Sequence, residues 1–156
     1  MKIVAKQIPK SYLSVEQFLS LAIRFEVESA EYYHLMQQDA ADRKVLELLQ
    51  DLEHQEMEHQ RVLKELRADR RSKQLMQFAP ELSLSMPASP ANPGFGELLA
   101  VAIERERQSA RIYRAASDLS SGEFRRILEE LAEFEHQHEE RLVALQKPLG
   151  STDAGG

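Results

Sequence analysis

LEHQEMEH (Leu52–His59) and LAEFEHQH (Leu131–His138), read together, decide the expected fold of this chain. Each places a glutamate three residues before a histidine, Glu56 with His59 and Glu135 with His138, in a run whose apolar positions recur at helical spacing. Residues three apart share one helix face, so each pair presents an oxygen and a nitrogen in the same direction. A lone Glu-x-x-His in a charge-rich helix carries little information. Two copies are a repeat, and the repeat extends upstream: AIRFEVESAEYY (Ala22–Tyr33) aligns with AIERERQSARIY (Ala102–Tyr113), again about 80 residues apart. Each half is expected to be a helix pair, and two pairs make an all-α four-helix bundle with approximate two-fold symmetry.

The local signals place four helices. Ser14 followed by Gln17 reads as a capping box opening the first, which runs to about Gln38. The second follows Asp39 and Asp42 and continues to about Arg71, where RADRR (Arg67–Arg71) sets positive charge against the C-terminal dipole. The third begins after Pro93-Gly94 and runs to about Ser117. Ser120 with Glu123 reads as another capping box, opening a fourth helix that continues to Gln146 and stops at Pro148. Between helices two and three lies KQLMQFAPELSLSMPASPANPG (Lys73–Gly94), proline-rich and without a clear period. It is too long for a tight turn and fits a long crossover, an arrangement that permits exchange of helix pairs between two chains. The expected layout is an N-terminal extension (1–13), one bundle domain (14–147) made of helix pairs 14–71 and 95–146 with crossover 72–94, and a flexible C-terminal tail (148–156).

Composition narrows the function classes. The 26 Asp+Glu against 20 Lys+Arg, a formal charge of −6, argue against a general binder of nucleic acid or anionic membrane. No apolar run approaches the roughly 20 residues that span a bilayer. MKIVAKQIPKSYLS at the N-terminus lacks the continuous apolar stretch of a secretory signal, so the expected compartment is the cytoplasm. With no cysteine, disulfides, thiolate metal sites and thiol nucleophiles are excluded.

The core stripes carry the chemistry. They read Leu19, Ala22, Glu26, Ser29, Tyr33, Met36 in helix one and Leu99, Ala102, Glu106, Ser109, Tyr113, Ala116 in helix three. Helix two gives Val45, Leu49, Leu52, Glu56, His59, Leu63, Leu66; helix four gives Phe124, Leu128, Leu131, Glu135, His138, Leu142, Leu145. Four glutamates and two histidines thus fall in apolar seams at matching heights. An unpaired buried carboxylate costs several kcal/mol, and four together also repel. Without cations some must take up protons. Two divalent metals would balance four carboxylates in one step, with Glu56–His59 and Glu135–His138 each serving a centre and Glu26 and Glu106 completing two half-sites. Ser29 and Ser109 leave room beside the glutamates or allow close helix packing. Tyr33 and Tyr113, two turns beyond their glutamates, are core aromatics placed to hydrogen-bond a ligand carboxylate. His34, His54 and His136 fall off the seam and are expected at the surface or its boundary. Glu28, Glu53, Glu58, Glu104, Glu133 and Glu139 are expected on solvated faces, in i,i+4 pairs with nearby Arg and Lys.

These residues resemble the rubrerythrin-type diiron domain of the ferritin-like superfamily over both helix pairs, about residues 14 to 146. The resemblance implies a ferritin-like four-helix bundle with Glu26 and Glu106 as terminal ligands, Glu56 and Glu135 bridging the metals, and His59 and His138 as one terminal nitrogen ligand per metal. It gives Tyr33 and Tyr113 the part of hydrogen-bonding partners to the ligands. Two departures stand out. Rubrerythrins typically carry a four-cysteine rubredoxin domain, for which this sequence has no residues, so electrons are expected from another protein, rubredoxin-like or other. They also carry an additional glutamate one turn after the third-helix ligand, where this sequence has Ser109, with Ser29 as its repeat mate.

The functional expectation is a dimetal oxidoreductase holding two iron ions per chain, with manganese as the alternative, that reduces peroxide or O2 with electrons from an external donor. The alternatives are a ferroxidase or iron-handling, storage-type protein and a non-catalytic helical metal-binding module. A homodimer, with helix pairs swapped as one form, is the expected assembly; neither nucleic acid nor membrane is an expected partner.

Overall fold

The computed structural model describes residues 12–69 and 75–150, with side chains through residue 146. The order is β1 (Tyr12–Ser14), α1 (Val15–Gln37), α2 (Arg43–Asp69), β2 (Leu75–Gln77), α3 (Phe95–Asp118) and α4 (Gly122–Gly150), so the described residues are mostly helical, with four helices among them. α1 and α2 pack as one pair, α3 and α4 as another; α1 lies against α3, and the approach of α2 to α4 is much slighter.

The helix starts follow from capping. The Ser14 hydroxyl accepts from the Gln17 amide at 3.0 Å while the Gln17 side chain accepts from the Ser14 amide at 2.9 Å, satisfying two donors at the start of α1. Asp42 accepts from the Val45 amide at 3.0 Å ahead of α2, and Glu97 accepts from the Gly94 amide at 3.2 Å ahead of α3. α4 departs from the capping expected of Ser120 and Glu123. Ser120 still belongs to the turn that leaves α3, and its hydroxyl donates to the Ala116 carbonyl at 2.7 Å. The first α4 backbone bond runs instead from Arg125 to Ser121, and the chain turns at Gly122 with φ 63, a conformation that strains any residue with a Cβ. The far end of α4 also differs from expectation. Its backbone continues past Pro148 to Gly150, because a proline forfeits a single donor and one turn beyond it can remain helical. Arg70 and Arg71 of the expected second helix, residues 72–74 of the expected crossover, residues 1–11 of the expected extension and residues 151–156 of the expected tail lie outside the described residues.

Two short strands were not expected. β1 and β2 pair antiparallel, with Leu13 opposite Met76. Tyr12 and Leu13, assigned by the sequence to an N-terminal extension, are therefore tied to the segment that follows α2. Three-residue strands are too short to show alternation, which is why they left no periodic signal. The ribbon is nevertheless anchored: Met76 and Phe78 are buried, and Phe78 stacks on Phe18 with ring centroids 5.8 Å apart.

The core divides into two apolar clusters. One joins Phe18, Leu19 and Phe25 of α1, Leu63 of α2, Ile112 and Tyr113 of α3, and Phe124 and Leu128 of α4. The other joins Tyr33 and Met36, Leu49 and Leu52, Leu98 and Leu99, and Leu142. α1 and α4 thus run from the first cluster to the second, and α2 and α3 run the other way. On every helix the stretch between the clusters carries the buried acidic residue, so a polar layer lies between two apolar ones.

Candidate metal centre

Glu26, Glu56, His59, Glu106, Glu135 and His138 are all buried and all meet in that middle layer. Their ligand atoms form two groups, Glu26, Glu56, His59 and Glu135 in one and Glu56, Glu106, Glu135 and His138 in the other, with the atoms of each group within 4.8 Å of one another. Glu56 and Glu135 belong to both. His59 Nδ1 lies 3.5 Å from Glu26 and 3.4 Å from Glu135. His138 Nδ1 lies 2.8 Å from Glu56 and 3.5 Å from both Glu106 and Glu135. The two imidazole rings are nearly parallel, 5.8 Å apart.

The chemistry of these atoms fits a cation. Glu26 Oε2, Glu56 Oε1, His59 Nδ1, Glu106 Oε2, Glu135 Oε1 and His138 Nδ1 are buried without an aligned hydrogen bond. Buried polar atoms are rarely left so. Carboxylate oxygens with imidazole nitrogens form a donor set for divalent first-row metals. The buried Glu/His groups could therefore hold metal ions. Protons serve the same electrostatic end in the metal-free cluster. Burial and the charges of Glu135, Glu26 and Glu106 push Glu56 well above the usual carboxylate range. Burial and the Glu135 charge raise Glu106 to about 8, against the pull of His138. Burial would also raise Glu26, but the close approach of Glu56 and of the His59 ring outweighs it and holds it at about 2. Burial opposes charging of the histidines, yet their glutamate neighbours lift His59 to about 11 and His138 to about 10.

Two tyrosines brace the layer, each across to the other helix pair. Tyr33 Oη on α1 donates to Glu106 Oε1 on α3, and Tyr113 Oη donates to Glu26 Oε1 at 2.7 Å. In both glutamates the second oxygen, Oε2, is the one left facing the cluster.

No protein-family model, curated protein or solved structure matches the chain.

Three neighbours of the site escaped the sequence reading. Gln55 Oε1 lies 2.7 Å from His138 Nε2. Phe134, its counterpart in the repeat, lies against His59 at 5.4 Å between ring centroids. The signal was present, since these positions immediately precede Glu56 and Glu135 and differ in chemistry between the two copies. Arg105 is buried between α1 and α3, where its Nη2 donates to the Phe25 carbonyl at 3.2 Å and to Glu28 at 3.3 Å, with its guanidinium over the Tyr32 ring. Arg105 matches Phe25 in the repeat, and only the tertiary packing shows why a cation replaces an aromatic there.

The residues expected off the seam are off it. His54 is exposed, His34 faces Glu53 at 3.2 Å, and His136 lies near Glu139 and Glu140. The acidic surface needs one correction. Glu58 and Glu104 pair along their own helices, at i,i+3 with Arg61 and Arg107, but Glu28, Glu53 and Glu139 reach partners on neighbouring helices. Long side chains at a helix–helix border meet across it as readily as along one helix.

A cleft of about 340 Å³ opens between α2 and α4 beside the cluster, bounded by His59, His138, Val62, Leu131 and Phe134 among others. No helix among the described residues is long and apolar enough to cross a membrane.

Proposed function

We propose that the cluster binds two iron ions, with manganese as the alternative, and that the chain is an oxidoreductase of the rubrerythrin and ferritin-like type. In this reading it reduces peroxide or O2 with electrons from an external donor protein. The observation that carries it is the sharing of Glu56 and Glu135 between two buried groups whose inward atoms make no aligned hydrogen bond. The opposed helix directions, which send the chain from one apolar cluster after α2 to the other before α3, support a ferritin-like bundle of two repeated helix pairs with a crossover.

When bound, the ions would supply the two electrons that the reduction needs, and the donor would restore them. The chain's own residues do the rest. Glu26 with His59, and Glu106 with His138, would each hold one ion, and Glu56 and Glu135 would bridge. The tyrosine hydroxyls lock one oxygen of Glu26 and of Glu106, which holds the other toward the centre. The apolar layers above and below keep bulk water away, and the α2–α4 cleft offers a small oxidant a path to the histidine side.

The test is anaerobic loading with Fe(II), followed by oxidation with peroxide and with O2 in parallel. Uptake that stops near two irons per chain, with oxidation by either reagent and re-reduction by an added donor, supports the enzyme. Continued accumulation under air would instead favour iron handling, and a chain that takes up no Fe(II) or Mn(II) would sink the metal reading.

A further inference from the structure

We propose that Gln55 is a positioning residue that makes the two metal positions unequal, so that the position held by Glu56, Glu106, Glu135 and His138 fills first. The inference rests on the dimetal reading above. A chain of contacts fixes Gln55. Arg141 Nη1 lies 2.9 Å from Asp51, and Gln55 Nε2 donates to the same Asp51 oxygen at 2.8 Å. With its amide nitrogen turned to Asp51, Gln55 presents Oε1 to His138, and the imidazole must donate from Nε2 across 2.7 Å. That commits Nδ1, which faces Glu56, Glu106 and Glu135, to the ligand role. The His138 ring therefore meets an ion with its orientation already set, Nε2 kept as the donor to Gln55 and Nδ1 as the nitrogen whose proton the ion would displace.

The other half lacks this device. Phe134 occupies the repeat position of Gln55 and sets a tilted aromatic ring beside His59, with no acceptor. Among the described residues no side chain stands to His59 as Gln55 does to His138, and His59 Nδ1 makes no aligned hydrogen bond. His59 faces Glu26 and Glu135 but has no acceptor to fix which nitrogen turns to the ion, and settling that costs its position affinity relative to its mate.

Loss of such an orienting partner typically lowers metal affinity by roughly 10–100-fold. The experiment titrates the metal-free protein with Zn(II), a diamagnetic probe, and follows both ligand histidines by 15N NMR alongside calorimetry. In the wild type, His138 should shift within the first equivalent and His59 within the second. Gln55→Leu should weaken the first step by roughly 10–100-fold and erase the order, whereas Gln55→Glu, which keeps an acceptor, should restore it. Phe134→Gln should strengthen the His59 position; Phe134 is 44% exposed, so that change is tolerated by the fold. If His59 and His138 respond together in the wild type, or if Gln55→Leu leaves the order unchanged, the inference is wrong while the dimetal reading stands. A wild-type chain that binds no Zn(II), Fe(II) or Mn(II) overturns both.

Discussion

At the residue scale, Glu56 and Glu135 differ from the other four inward side chains because each belongs to both groups. Glu56→Ala should therefore weaken both metal positions, while His59→Ala should affect mainly one; metal stoichiometry after dialysis against Fe(II) or Mn(II) distinguishes them. A Glu56→Ala chain that kept one ion at full affinity would contradict sharing. Protons compete for the same atoms. In the metal-free protein His59 and His138, lifted to about 11 and about 10, and Glu106, lifted to about 8, hold protons at neutral pH that their unfolded counterparts hold weakly. The stability they contribute is fully present below the unfolded values and is lost as pH rises through about 8 and then about 10 to 11. A bound metal would displace those protons, so metal affinity should rise with pH, most steeply below about 8, where all three groups still hold them. Calorimetry in buffers of different ionisation enthalpy would read the released protons directly.

At the element scale, stability is set at the helix starts and at the ribbon. Ser14 serves α1 through both halves of its capping box and also closes β1, so Ser14→Ala should cost about 1 kcal/mol in urea denaturation. Gly122 makes a sharper case, because no atom outside its neighbours lies within 4 Å of where a Cβ would stand. Crowding predicts no penalty for Gly122→Ala, whereas its φ of 63 predicts a loss of about 1 kcal/mol. The capping signals of α1 and the start of α3 after Pro93-Gly94 were legible because capping is local. Ser120 was misread for the same reason: a serine followed three residues later by glutamate looks alike whether the preceding helix has ended or not. The α3 C-terminal carbonyl at Ala116 claimed the hydroxyl instead.

At the scale of the whole molecule, two apolar clusters enclose a layer dense in ionisable groups. That design costs stability in the metal-free protein, since buried charges rarely recover their desolvation. Replacing Glu26, Glu56, Glu106 and Glu135 together by Leu should raise metal-free stability by roughly 1–4 kcal/mol and abolish any response to metal. The wild type should show the reverse. Fe(II) or Mn(II) at about 100 times its Kd should add about 2.7 kcal/mol and raise Tm, and a chelator should undo it.

The sequence by itself determined the helical class, the four helices and the seam that buries each glutamate and histidine, because helical periodicity and a twofold repeat are properties of neighbours along the chain. Only the tertiary structure decided what lies between helices. It brought Tyr33 to Glu106 and Tyr113 to Glu26, paired Tyr12–Ser14 with Leu75–Gln77, buried Arg105 against the Phe25 carbonyl, and set Gln55 on one histidine and Phe134 on the other. Those contacts join residues tens of positions apart, and their partners are chosen by the packing of whole elements, which no local pattern encodes.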